Sequence, residues 1–332
     1  MFSALSLNMD KFQYRLDITS DLDNEAYDLR VHFYNKYGVY PESLNNISLL
    51  VVVAENVTLK GSGGSAGERR SISNNTYRSV TLPSGAIDCY QYDVPADPDD
   101  ILSSDSIEIG DGLNSDCELH VILESGSHIQ GGGGGGGAGG QANGIGSPNY
   151  EYLDGGKGQN GAPAIRAKCP VYVYGSGTIE CGYAGGGGSG VEYAASGVTN
   201  GLGNQALRLL GNGGGGGHPH GSGNGRQHYG YVPPPNDYGS GNEGYDADDT
   251  NAGAARTHGW AITPGTDEIS ATLDSGKGGE RGSPADDGEV NSSQTKSYET
   301  DSGLAGTDGY AVDSNGTGAT IHTGTTSYGG TN

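Results

Sequence analysis

Three constellations in this 332-residue sequence have the residue types for chemistry. His218 and His220 stand one residue apart. Three copies around a parallel three-fold axis would offer six imidazoles to an octahedral transition metal. The pair occurs once, in a stretch without strand pattern, and no metal site is assigned to it. Asp246, Asp248 and Asp249 offer the oxygen ligands that Ca²⁺ takes, without the glycine and distal glutamate of an EF-hand loop. Ca²⁺ there is the single cofactor expectation. Asp286, Asp287 and Glu289 could supply the paired carboxylates of a glycoside hydrolase, and read more simply as a solvated acidic turn. G-x-G-x-x-G spacings recur, but none opens an amphipathic helix. There is no P-loop lysine, HExxH pair or GxSxG elbow. The expectation is a protein that is not an enzyme, with no catalytic residues and a depolymerase as the residual enzymatic reading.

A fourth set is aromatic. Tyr150, Tyr152, Tyr229, Tyr231, Tyr238, Tyr245 and Trp260 fall between or beside runs of glycine. Aromatic faces stack on sugar rings and apolar protein surface while hydroxyls hydrogen-bond. Tyrosine also gives large contact area at low entropy cost. These seven are the candidate receptor-binding residues.

The elements that must position them are the glycine runs. Residues 131–140 hold seven consecutive glycines, then Ala138, Gly139 and Gly140, directly after the apolar Val121, Ile122, Leu123 and Ile129. Residues 185–188 and 213–217 repeat the arrangement after Ile179 and after Leu209 and Leu210. Glycine loses the most conformational entropy on ordering. Such a run is therefore either a flexible linker or a backbone packed too tightly for side chains. The tracts recur, each follows residues that need burial, and the intervening segments alternate like strands. The reading adopted is the packed one: strands in polyproline-II geometry, three residues per turn, bonded to one another. Its structural glycines are Gly131, Gly134, Gly137, Gly185, Gly188, Gly213 and Gly217.

Composition narrows the classes. The chain has 64 glycines without a G-X-Y period, which excludes collagen. Only 33% of residues are hydrophobic, so a conventional core is expected chiefly in the first third. A net charge of −23 argues against nucleic acid, which needs a basic stripe, and against anionic lipid. No apolar stretch is long enough to span a membrane. The opening residues are too short and uncharged for a signal peptide. Cys89, Cys117, Cys169 and Cys181 lack zinc spacing. Free thiols are expected, with a Cys169–Cys181 bridge as the alternative in an oxidising place.

The fold class read from these patterns is mostly β and irregular: an N-terminal antiparallel β domain followed by glycine-rich modules with packed polyglycine-II strands. Phe12, Tyr14, Leu16 and Ile18 alternate, as do Tyr27, Leu29, Val31 and Phe33, which predicts two half-buried strands. The continuous apolar run at 47–54 predicts a central strand. Internal similarity links 52–64 with 121–133, 155–165 with 302–312, and 174–182 with 314–324. The boundaries drawn are 1–117, a β-rich attachment and oligomerisation domain; 118–190, a first glycine-rich module; 191–258, an insertion rich in Tyr, His, Pro and Gly; and 259–332, a second module stacked on the first.

Residues 127–133, then 155–164, then Gly177, Thr178 and Ile179 before the next tract, resemble the glycine-rich modules of tail-tip and tail-fibre adhesins of tailed bacteriophages. The resemblance covers 118–190 well and 259–332 loosely, since Lys277, Glu280 and Arg281 interrupt the tract at 276–282. It implies a polyglycine-II core, aromatic loops that bind a host surface glycan or outer-membrane protein, and contacts with other virion proteins through the N-terminal domain. It further implies a trimer, or a cap on a trimeric fibre, in a virion assembled in the host cytoplasm and working outside the cell. The alternatives are a structural or decoration protein of tail or capsid without a receptor role, and an ice-binding or surface-coat protein.

Overall fold

The first alternating run forms the strand Tyr14–Ile18, with Leu16 and Ile18 buried and Arg15 and Asp17 facing water. It lies parallel to Ser48–Val53, which lies parallel to Glu118–Leu123, then Val171–Gly175 and Ala319–Ile321, in one five-stranded sheet. The structure is a computed structural model. It describes residues 13–64, 113–140, 155–189, 211–223, 245–248, 251–255, 275–289 and 302–332, and elsewhere the backbone of strands at 79–81, 87–90, 107–108, 141–145, 151–153, 192–193, 207–210, 257–262, 269–274, 290–292 and 298–299.

Two further parallel sheets line the other faces of the same coil. One stacks Thr58–Lys60, His128–Gln130, Thr178–Glu180 and Thr326–Tyr328. The other stacks Tyr27–Asp28, Ile107–Glu108, Ile165–Arg166 and Val312–Asp313. Strands of the first, second and third sheets recur in that order, so the chain winds as a three-faced coil. Leu49, Val51 and Val53 sit in register with Leu119, Val121 and Leu123, and all point into a core completed by Leu59, Ile129, Ile179, Ile165 and Val312.

Two expectations are corrected here. The strands of the first 60 residues pair in parallel, not antiparallel. Antiparallel neighbours are joined by tight hairpins, whereas a connection that travels around two other faces brings the chain back in its original direction. The second alternating run is a helix after Asp28. Asp28 Oδ1 accepts from the Val31 amide at 3.1 Å, and Gly38, at φ 74°, terminates Leu29–Tyr37. Leu29 and Phe33, four apart, pack into the coil core, which leaves Val31 47% exposed. No helix among the described residues is long and apolar enough to cross a membrane.

The glycine tracts are buried and carry neither helix nor sheet bonds of their own. Their bonds run between tracts at a three-residue spacing. The amides of Gly131, Gly134, Gly137 and Gly140 donate to the carbonyls of Glu180, Tyr183, Gly186 and Ser189. Gly211, Gly214 and Gly217 donate to Gly140, Gly137 and Gly134. Ala162, Gln159 and Gly156 donate to Gly132, Gly135 and Ala138. Each phase of one tract thus faces a different neighbour. A Cβ on Gly185 would lie 2.0 Å from the Gly135 carbonyl oxygen, and one on Gly188 1.9 Å from that of Ala138. Gly131, Gly137, Gly213 and Gly217 are likewise buried.

Cys117, Cys169 and Cys181 are free, and no bridge joins Cys169 to Cys181. Cys117 and Cys169 precede paired strands at matching positions in adjacent coils. Burial pushes the Cys169 and Cys181 thiols up to about 12, which withdraws the reactive thiolate. Titration of native protein with an aromatic disulfide reagent is expected to leave these three thiols unmodified until denaturant is added. Rapid modification of Cys169 in the native state would contradict the closed core.

Candidate functional site

The glycine tracts leave the coil at one corner. Gln130 ends a second-sheet strand and Gly131 follows it; the chain returns along 155–164 into Ile165–Arg166. At the far end of this excursion Gln141–Ile145 pairs antiparallel with Glu151–Leu153 on one side and Leu207–Leu210 on the other. Leu207–Leu210 runs directly into 211–217. In the same way Ile269–Asp274 leads into 275–279, flanked antiparallel by Thr257–Ile262 and Glu289–Ser292.

Two of the aromatic candidates lie on these distal strands: Tyr152 opposite Ala142, and Trp260 opposite Ala271. Tyr245 is 44% exposed and its carbonyl accepts from the Gly216 amide, within the glycine layer. Tyr150, Tyr229, Tyr231 and Tyr238 lie outside the described residues, and of Tyr152 and Trp260 only the backbone is described. Of the seven, Tyr245 is the one whose side chain is among the described residues.

The other sequence candidates are engaged locally. Asp246 Oδ1 accepts from Ser222 Oγ and the Gly223 amide, and Asp248 Oδ1 from the Asn251 amide at 2.6 Å; Asp249 lies outside the described residues. Asp287 Oδ1 accepts from the Ala305 amide. His218 and His220 take different partners: Nδ1 of His218 accepts from Gln130 Nε2 at 3.1 Å, and Nε2 of His220 meets Asp23 Oδ1 at 2.8 Å. Among the described residues no three metal-ligating side chains converge.

A polar cluster not singled out by sequence reasoning lies where the tracts meet the coil. Lys60, Gln130, Glu180 and Tyr328 form one rung across the second sheet, each the last residue of its strand. Two turns of the glycine layer, at 218–220 and 280–283, fold onto this rung. Glu180 is 1% exposed. Its Oε1 accepts from Tyr183 Oη at 2.8 Å and Arg281 Nε at 3.0 Å; its Oε2 accepts from His128 Nε2 at 3.0 Å and from Arg281 Nη2. Burial alone would raise this carboxyl. The hydrogen bonds from His128, Arg281 and Tyr183 outweigh it and hold the group at about 2. An ionised carboxylate only accepts, so His128 presents Nε2–H to it. The Arg281 guanidinium also lies over the Tyr328 ring, 3.7 Å from its centroid. The available signal was the polar residue that ends the strand before residues 61–64, 131–140 and 181–189: Lys60, Gln130 and Glu180.

No family model matches this chain, and no curated protein matches it. Among solved structures it is similar to the crystal structure of the gp37–gp38 adhesin tip complex of the bacteriophage S16 long tail fibre. The TM-score is 0.38 at 18% identity, over 95% of this chain and 82% of that chain.

Proposed function

We propose that this chain is a non-enzymatic phage virion protein, a tail-tip or tail-fibre adhesin whose aromatic segments bind a host-surface glycan or outer-membrane protein. The observation that carries this reading is the set of tract-to-tract bonds repeating every third residue among buried glycines. That spacing is the period of polyglycine II, and bonds to several neighbours make a stiff slab from chain that would otherwise be a coil. Stiffness matters for recognition because loops held in place lose little entropy on binding. The Tyr-bearing segments connect tracts, and a rigid scaffold with variable connections is a common plan for binding proteins. In this reading residues 1–117 join the protein to other virion proteins, as a trimer or as a cap on a trimeric fibre.

Adsorption tests the proposal. Purified protein is expected to bind host cells and to block infection by the parent particle. Replacing Tyr229 and Tyr231 together by Ala is expected to reduce adsorption more than tenfold, about 1.4 kcal/mol or more, with an unchanged melting curve. Full incorporation into particles with no adsorption by the wild-type protein would instead support a structural role.

A further inference from the structure

In six places asparagine precedes glycine: Asn143, Asn160, Asn200, Asn212, Asn224 and Asn315. Such a pair can react with itself, because glycine has no side chain to shield its amide nitrogen from the asparagine side chain. That nitrogen is the nucleophile and the side-chain amide carbon is the electrophile, so a hydrogen bond to either group restrains the reaction. The structure describes the side chains of Asn160, Asn212 and Asn315. Two of them are restrained. Asn160 Oδ1 accepts from the Thr307 amide at 2.9 Å, and the Gly161 amide donates to the Thr307 carbonyl at 3.0 Å. Asn212 is 0% exposed, and its backbone bonds to Ser189 in both directions. Its amide donates to Ser189 Oγ at 2.8 Å, and its carbonyl accepts from the Ser189 amide at 2.9 Å.

Asn315 and Gly316 are exposed at the tip of a turn between Val312–Asp313 and Ala319–Ile321. The base of the turn is tied down at Ser314, which is buried. Its carbonyl accepts from the Thr317 amide at 3.1 Å and from Thr317 Oγ1 at 2.7 Å, and its Oγ accepts from the Gly318 amide at 3.0 Å. The Asn315 amide donates to Asp313 Oδ1 at 3.0 Å. Among the described residues the Asn315 side chain and the Gly316 amide make no hydrogen bond. A Cβ on Gly316 would meet nothing within 4 Å. Asn315 has φ 52° and Gly316 φ 77°, a left-handed pair that suits glycine better than asparagine. Local opening of such a surface tip costs little, and it frees the backbone to bring the Gly316 nitrogen against Asn315 Cγ.

We propose that Asn315 is a site of spontaneous deamidation, and that the product weakens the last coil. The Gly316 nitrogen gives its proton to water and attacks Asn315 Cγ. The Cγ–Nδ2 bond breaks, and the side-chain nitrogen takes up a proton and leaves as ammonia. A five-membered succinimide remains. One water then opens it at either ring carbonyl, giving aspartate or isoaspartate. One water is consumed and one ammonia released, so no oxidant and no catalyst are required. Either product sets a new carboxylate near Asp313, whose Oδ1 already accepts from the Asn315 amide and from Asn332 Nδ2 at 3.2 Å. In isoaspartate the backbone also runs through the former side chain and gains a carbon. The turn that leads into Ala319–Ile321, the last strand of the first sheet, is then lengthened. None of this draws on the adhesin reading.

Ageing of the native full chain in warm, mildly alkaline buffer tests the proposal, with peptides mapped by mass spectrometry at intervals. Isoaspartate is identified by enzymatic methylation with an isoaspartate methyltransferase. Conversion at Asn315 is expected to run at least about tenfold faster than at Asn160 or Asn212, since those sites must first break hydrogen bonds or leave a closed interior. In denaturant the three rates are expected to converge to within about threefold, because the protection of the folded chain is gone. The isoaspartate form, separated from unmodified protein by ion exchange, is expected to melt lower by about 1 °C or more. Conversion at Asn315 no faster than at Asn160 or Asn212 in the native chain overturns the site. Rates that stay apart in denaturant also overturn the structural account, since the difference would then lie in the flanking sequence. Equal melting of the two forms overturns the effect on the last coil. Host adsorption enters none of these outcomes, so the adhesin reading can fail while this one stands.

Discussion

Gly134→Val is expected to destabilise the protein by about 3–5 kcal/mol. The added Cβ would lie 2.1 Å from the Gln159 carbonyl oxygen and 2.8 Å from that of Asn160, both backbone atoms. Neither can step aside cheaply. The Gly134 amide donates to the Tyr183 carbonyl at 2.8 Å, and the Gly134 carbonyl accepts from Gly217 at 2.7 Å. The next residue is also fixed, since the Gly135 amide donates to Gln159 Oε1 at 2.8 Å. Moving the tract far enough to seat a valine stretches bonds on several sides at once. Overpacking typically costs about 1–3 kcal/mol, and each lost bond adds roughly 1 kcal/mol. A fall in Tm of about 6 °C or more follows for a chain of this size. Gly330→Ala is the control: its Cβ would meet nothing closer than Tyr310 Cδ1 at 3.7 Å, and its effect is expected within about 0.5 kcal/mol. Wild-type melting of Gly134→Val would mean that the tract accommodates a side chain, and the packed-slab account would be wrong.

What could be seen in the sequence follows from which forces are local. Period two at Tyr14–Ile18 and the apolar run around Ser48–Val53 specify strands by themselves, and both are strands. Strand direction is not local, because the same alternation suits either. Yet a direction signal was present in the internal similarity of 155–165 to 302–312: that offset is the pairing register itself, Ile165 against Val312, and similarity at a fixed offset favours parallel stacking of like on like. The alignment of 52–64 with 121–133 missed the true register by one position. The structure pairs Val51, not Val52, with Val121, and a one-residue slip exchanges the two faces of a strand. At Tyr27 to Phe33 two periods compete, since Leu29 and Phe33 fit a helix face as well as a strand face. The cap at Asp28 and the stop at Gly38 tip the choice. Of the cluster around Glu180, the rung residues Lys60, Gln130 and Glu180 are legible as a repeat, but the partners are not. His128 and Arg281 stand 52 and 101 positions away from Glu180 and meet only because the coil and the glycine turns converge there.

That cluster makes the second large prediction, which separates charge from packing. Arg281→Ala removes the two bonds that Arg281 makes to Glu180 and its cover over Tyr328. Glu180 is 1% exposed while the Arg281 side chain is 47% exposed. The loss is therefore below that of a fully buried pair: about 2 kcal/mol at pH 7. Its pH dependence has a definite sign. The Glu180 carboxyl sits at about 2 in the folded protein, below the roughly 4.3 of an unfolded chain. The stabilisation is thus full above about pH 5 and is lost as pH falls from about 4 towards 2. Without Arg281, burial of the carboxylate is opposed only by His128 and Tyr183, so the folded value rises and less stabilisation remains for acid to remove. Denaturant melts of the two proteins at pH 7, 5, 4 and 3 are expected to show a gap that is constant from 7 to 5 and narrows below 4. A gap of the same size at every pH would assign the role of Arg281 to its stacking on Tyr328, leaving the joint between coil and glycine layer held by packing and the backbone bonds of the turns.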